Sequence, residues 1–245
     1  MISPSRPLLL GHRGARLVRR LGVRWPRPNF PAENTLAAFD YALAHGCDGF
    51  EFDVRFTRDR RHVLCHDPRY GRREVALTDY AGLERRHGFE RRRVPMPCLE
   101  DVLARYCGTA YLDVELKVSG PEEAIVAALK AHPPARGFVV SSFLPAVVQR
   151  LRRLDPCLPL GFVCKRPEDA KLWRELPISI YIPHHSLVTK ALVEQVHGAG
   201  LKIFTWTVNG RTEMLQLAEW GVDGLISDSP KLLHRTFDRH SQRER

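Results

Sequence analysis

The sequence contains no run approaching the roughly 18–20 consecutive apolar residues needed to cross a bilayer. Between Met1 and Leu10 the apolar stretch is too short for the core of a secretory signal, so a cytoplasmic protein is expected. The cysteines, at positions 47, 65, 98, 107, 157 and 164, show no Cys-x-x-Cys spacing. This argues against a zinc knuckle and fits reduced, mostly packed thiols, to which no chemistry is assigned. No RNA-recognition or helix-turn-helix pattern is present, and no linker divides the chain. No acidic residue precedes Glu33.

What is present points to one folded unit. Apolar residues make up 44% of the chain, enough for a large core, which rules out disorder and collagen-like repeats. A length of 245 residues holds one complete α/β barrel, whereas two separate cores would each be small. Lysine and arginine number 38 against 28 acidic residues, a formal charge of +10. The excess is scattered over positions 13–27, 85–93, 150–153 and the tail after Arg235, a weak signal for nucleic acid. A phosphoester substrate would feel the same field.

Short β-branched or aromatic runs alternate with amphipathic stretches, the pattern of repeated βα units around a parallel sheet. Nine strands are predicted: Leu8 to Gly11, Gly49 to Val54, His62 to His66, Ala110 to Lys117, Gly137 to Phe143, Leu158 to Cys164, Ser179 to Pro183, Lys202 to Val208 and Gly224 to Asp228. The gap between the second and third is too short for a parallel crossover, so these two form an antiparallel hairpin and eight strands remain for a (β/α)8 barrel. A four-residue turn would set Thr57 opposite His62 and therefore Asp53 opposite His66. Asn34 is the expected cap of the first helix, Asp228-Ser229-Pro230 reads as the start of the last, and the tail after Leu233 is expected to fray.

Active sites of such barrels lie at the C-terminal ends of the strands. There the sequence places Gly11-His12-Arg13-Gly14, Glu51-Phe52-Asp53, His66-Asp67 and Glu115-Leu116-Lys117. Alternation turns Glu51 and Asp53 to one face of their strand and Phe50, Phe52 and Val54 to the other. Glu115 and Lys117 likewise share a face. Three inward carboxylates suit a hard divalent cation, Mg²⁺ or Ca²⁺. The alternative is that Glu51 and Asp53 simply pair with Arg13 and Lys117.

These strings, with Glu33-Asn34-Thr35, Trp206-Thr207-Val208-Asn209 and Asp223 to Asp228, together resemble the glycerophosphodiester phosphodiesterase family, in order from Leu8 to about Pro230. The resemblance implies a metal-dependent TIM barrel that hydrolyses glycerophosphodiesters to sn-glycerol 3-phosphate and an alcohol. It implies Glu51, Asp53 and Glu115 as ligands of one cation, His12 and His66 as general acid and base in either order, and Arg13 and Lys117 as phosphate contacts. Glu33, Phe143 and Trp206 are candidate substrate contacts, each with a structural alternative of capping or packing. His184 and His185 end the sixth barrel strand, where they reach the rim or, as is favoured, serve structure.

The chain departs from the family in an extended first βα loop: twenty residues separate His12 from Glu33. Its arginines, from Arg16 to Arg27, suit a lid, a phosphate clamp or a weak contact with an anionic membrane surface. The competing activity is a lysophospholipase D on the same barrel. From another class, a non-catalytic phosphate- or nucleic-acid-binding barrel is opposed by the intact set of histidines and carboxylates.

Overall fold

The alternating pattern folds as a closed ring. The computed structural model describes residues 6–17, 30–83, 96–120 and 122–238. Its strands are β1 (Leu8–Gly11), β2 (Gly49–Phe56), β3 (His62–Leu64), β4 (Arg69–Tyr70), β5 (Arg73–Glu74), β6 (Tyr111–Leu116), β7 (Phe138–Ser142), β8 (Leu160–Cys164), β9 (Ile180–Pro183), β10 (Lys202–Thr205) and β11 (Gly224–Ser227). The helices are α1 (Leu36–Ala44), α2 (Tyr80–Leu83), α3 (Leu99–Tyr106), α4 (Glu122–Ala131), α5 (Pro145–Leu154), α6 (Lys190–Gly198), α7 (Arg211–Glu219) and α8 (Pro230–Phe237). Round the ring the parallel order is β1, β2, β6, β7, β8, β9, β10, β11, and β11 returns to β1. This is the expected (β/α)8 barrel, with β3 added antiparallel to β2. No helix among the described residues is long and apolar enough to cross a membrane.

Three local expectations need correction. In the hairpin, Phe56 faces His62 and Val54 faces Leu64, and the Cys65 N–H donates to the Asp53 carbonyl. Asp53 therefore faces Cys65 rather than His66. The cause is a three-residue turn, closed from Thr57 to Arg61 and carrying Arg60 at φ 66°, in place of the four-residue turn. At α1 the cap is Thr35, whose hydroxyl accepts from the Ala38 N–H, and Asn34 stands before the helix at φ 56°. The last helix runs to Phe237 with Leu233 and Thr236 fully buried, so order continues past Leu233. The arginine clusters at 18–29 and 85–93, which carry the loop and membrane expectations, lie outside the described residues, as does the tail from 239.

Two apolar layers hold the strands. Inside the barrel, Leu10, Val139, Val163, Ile180, Ile182, Phe204 and Ile226 pack together. Outside, Phe50, Phe52 and Val54 face the helices. Phe39 of α1 stacks on Phe50 with centroids 4.1 Å apart, and Tyr106 of α3 meets Phe50 edge-on at 5.0 Å. Because side chains alternate along β2, this aromatic clamp on one face fixes Glu51 and Asp53 on the other.

The turn after β1 shows why its glycines flank His12 and Arg13. A Cβ on Gly11 would lie 1.9 Å from the Gly14 carbonyl oxygen, and Gly14 itself sits at φ 78° against the Ala38 backbone. A side chain at either position would displace the turn that carries His12.

Candidate active site

The site is built on the β1, β2, β6 and β11 ends. Glu51, Asp53 and Glu115 are buried, and one carboxylate oxygen from each lies within 4.8 Å of the others. Parallel pairing sets Asp53 beside Glu115, and Glu51 beside Asp113, across β2 and β6. The carboxylates would repel one another without compensation, and two cations supply it. The Arg13 guanidinium nitrogen Nε lies 3.1 Å from Asp53, and Lys117 Nζ lies 3.0 Å from Asp53 while also bonding Glu115. Burial raises the pKa of Asp53, but Lys117 and Arg13 outweigh it and hold the group below its ordinary value. Burial, reinforced by Asp53 and Glu115, pushes Glu51 well above the carboxylate range. Glu115 rises to about 7 through burial, which outweighs the opposing pull of Lys117.

His12 follows β1 and is oriented from behind. Its Nδ1 lies 2.6 Å from Asp228 Oδ1, while Nε2 faces Glu51 Oε2 at 3.9 Å. Asn209 Nδ2 donates to the other Asp228 oxygen at 2.7 Å, and its Oδ1 accepts from the Asp228 N–H at 3.0 Å. Burial raises the Asp228 pKa, yet the hydrogen bond and charge of His12, with Asn209, bring it below its ordinary value. An ionised carboxylate only accepts, so Nδ1 carries the proton and Nε2 of a neutral ring offers its lone pair to the cavity. Asp228 is therefore part of the site, against its sequence reading as a helix start, and α8 begins two residues later at Pro230.

His66 reaches the same cavity although it does not face Asp53 across the hairpin. It lies just beyond β3, where the Arg55 guanidinium donates to its carbonyl from Nε at 2.9 Å and Nη2 at 2.7 Å. Its ring nitrogen Nδ1 lies 2.8 Å from Asp67. Burial lowers the His66 pKa, Asp53 opposes this, and Arg13 and Lys117 add to the lowering.

The remaining sequence candidates fall as follows. Glu33 sits between Arg13 Nη1 at 2.7 Å and Arg16 Nε at 2.8 Å, so it links two cations at the cavity edge rather than joining the carboxylate cluster. Phe143 and Trp206 meet edge-on at 5.4 Å, and both line the cavity. The indole N–H donates to the Ile182 carbonyl at 3.1 Å and so fixes the ring. His185 pairs with Glu213 at 2.5 Å, as a structural residue should. His184, by contrast, lines the cavity.

Two further residues escaped the sequence reading. Asn34 bonds Asp53 twice, Nδ2 to Oδ2 at 2.8 Å and Oδ1 from the N–H at 3.2 Å. The signal was the adjacent Thr35: only one of the two can cap, and the other is released for the site. Asp113 lies two residues below Glu115 on the same face of β6 and accepts from the Ser141 hydroxyl at 2.6 Å. Burial raises it to about 7. Strict alternation would have found it.

The cavity occupies about 510 Å³ at the strands' C-terminal ends. The donor set fits a divalent cation: Glu51, Asp53 and Glu115 are all buried hard-oxygen donors, and one carboxylate oxygen from each converges on one spot. A sequence profile for the glycerophosphoryl diester phosphodiesterase family matches residues 12–232. The chain belongs to that family. Membership makes it an enzyme of the phosphodiesterase class.

Relatives in the family span nearly the whole chain. The chain is 31% identical to the Bacillus subtilis protein YhdW over 92% of its own length and 96% of that protein. It is 30% identical to a glycerophosphodiester phosphodiesterase of Bacillus altitudinis, covering 82% of this chain and 91% of that one. Among solved structures, an Oleispira antarctica phosphodiesterase in complex with the product sn-glycerol 3-phosphate superimposes with a TM-score of 0.79 at 25% identity, covering 95% of this chain and 97% of that one.

Proposed function

We propose that this member of the family hydrolyses glycerophosphodiesters to sn-glycerol 3-phosphate and an alcohol, using a divalent cation and the His12/His66 pair. The observation that carries the reading is a cluster of three buried carboxylates, two of them lining a cavity shared with two histidines, Arg13 and Lys117. Phosphodiester cleavage needs charge neutralised on the non-bridging oxygens, an attacking hydroxyl or water deprotonated, and the leaving oxygen protonated. The product bound to the Oleispira antarctica relative is the product this reading requires.

Glu51, Asp53 and Glu115 would hold Mg²⁺ or Ca²⁺, which supplies Lewis-acid stabilisation of the phosphoryl oxygens. His12 is the base. Its Nε2 accepts the proton of the attacking oxygen, and Asp228 on Nδ1 stabilises the imidazolium that forms. His66 is the acid and protonates the leaving alcohol. Arg13 and Lys117 hold the phosphate, while Glu33 orients Arg13. Phe143 and Trp206 form the apolar side of the substrate pocket.

The decisive assay is glycerol 3-phosphate release from glycerophosphocholine and glycerophosphoethanolamine in EDTA, Mg²⁺ or Ca²⁺. Release is expected only with a cation. Failure with both cations, combined with cleavage of lysolipids, would replace this reading by a lysophospholipase D.

Asp228→Asn provides a second check. The amide keeps the shape of the group but removes the charge that stabilises protonated His12. We expect kcat to fall on the order of 10⁴-fold with KM nearly unchanged, because Asn209 Nδ2 keeps the amide oxygen and turns the amide NH2 toward His12 Nδ1, which favours the tautomer that cannot act as base at Nε2. An unchanged kcat would remove Asp228 from the mechanism.

A further inference from the structure

The charges lining the cavity are unevenly compensated. Four cationic side chains contribute: Arg13, Arg16, Lys117 and Lys165. Arg13 and Arg16 pair with Glu33, and Lys117 pairs with Asp53 and Glu115. Lys165 has no carboxylate within ion-pair distance among the described residues, and it is exposed at the cavity mouth.

Its place in the ring gives that charge a direction. Lys165 follows β8 and His184 follows β9, four positions round the eight-strand ring from β1 and β2, which carry His12 and the Glu51/Asp53 pair. Arg13 after β1 and the β2 carboxylates thus stand across the cavity from Lys165, Lys117 after β6 stands two positions from it, and Phe143 after β7 and Trp206 after β10 lie between the two sides. His184 uses Nδ1 on the Ser186 hydroxyl at 2.8 Å and leaves Nε2 without a hydrogen-bond partner among the described residues. Burial lowers its pKa, and the neighbouring charges of His185 and Lys165 lower it further, so Lys165 and His184 share one electrostatic environment.

A substrate whose phosphate lies against the carboxylate side has a compact glycerol and a variable alcohol to accommodate. In-line displacement turns the leaving alcohol away from the attacking oxygen that His12 deprotonates. The leaving alcohol extends past the aromatic pair toward the mouth. Resting on the phosphodiesterase reading, we propose that Lys165 selects leaving alcohols bearing a second anionic group, a carboxylate or a terminal phosphate, and disfavours a cationic end. The ammonium donates to the anion across the mouth and the His184 ring nitrogen supplies a second polar contact.

Matched substrates test this. Glycerophosphoserine and glycerophosphoethanolamine differ by one carboxylate, and glycerophosphoglycerol phosphate and glycerophosphoglycerol by one phosphate. Each pair is compared by kcat/KM in the metal-loaded wild type, Lys165→Ala and Lys165→Glu, with melting curves to verify folding. A preference of roughly three- to tenfold for the anionic member is expected in wild type, the size of a partly exposed charge contact. It should collapse toward one in Lys165→Ala and reverse in Lys165→Glu, and the pair that shows it identifies the anion. Equal rates within both pairs, or a preference that survives Lys165→Glu, would overturn the role of Lys165. Cleavage of no ester by wild type would overturn the phosphodiesterase reading instead.

Discussion

His12→Ala is expected to lower kcat on the order of 10²- to 10⁴-fold, the range that a positioned general base contributes. The fold should survive. His12 sits in a polar cavity rather than the apolar core, and the Asp228 carboxylate left behind keeps the hydrogen bond that Asn209 Nδ2 donates to it. His66→Ala should cause a loss of similar order through a different step, because a poor leaving alkoxide would then depart without a proton. The double variant should be scarcely slower than the worse single one, since two groups that act on one proton inventory are not additive. Steady-state kinetics with melting curves check all three. A His12→Ala enzyme within tenfold of wild type would remove His12 as the base.

Glu51→Gln separates metal binding from folding. The side chain is buried, its charge is opposed by Asp53 and Glu115, and its Oε2 accepts the Arg13 N–H at 2.8 Å. Glutamine keeps an acceptor of the same length and removes the charge. Without metal the variant should melt at or above the wild-type temperature, because the penalty on a buried, repelled carboxylate is gone. Saturating Mg²⁺ at about 100 times its dissociation constant adds about 2.7 kcal/mol to wild-type stability, a rise on the order of 5–10 °C for a chain of this size. The variant should lose that rise together with an activity on the order of 10²- to 10³-fold. A metal-induced rise of wild-type size in Glu51→Gln would exclude Glu51 as a ligand.

Glu51 is among the residues that alternation alone placed on one face. Glu51, Asp53, Glu115 and Lys117 were legible because a strand has a strict period of two and a barrel leaves its inner face no choice but the axis. His66 was placed in the site through a register that was one residue off. It still reaches the cavity because it lies just past β3, where the Arg55 guanidinium holds the turning chain. Asp228 was read as local helix punctuation, since Asp-Ser-Pro carries that signal however the chain folds. Its contact with His12 spans 216 residues of sequence, and no local pattern reports a contact of that range.

Asn34 marks the same divide on a smaller scale. Its neighbour Thr35 satisfies the helix end, and only the left-handed turn at Asn34 aims its amide at Asp53. Local periodicity and turn chemistry determined the strands, the helices, the barrel and the carboxylate cluster, because each depends on neighbours a few residues apart. Closing the ring through β1 and β11 decided which groups orient the histidines, and where the charge of Lys165 stands relative to His12 and the β2 carboxylates. Those are distances across the barrel, set by how eight strands meet and not by any one of them.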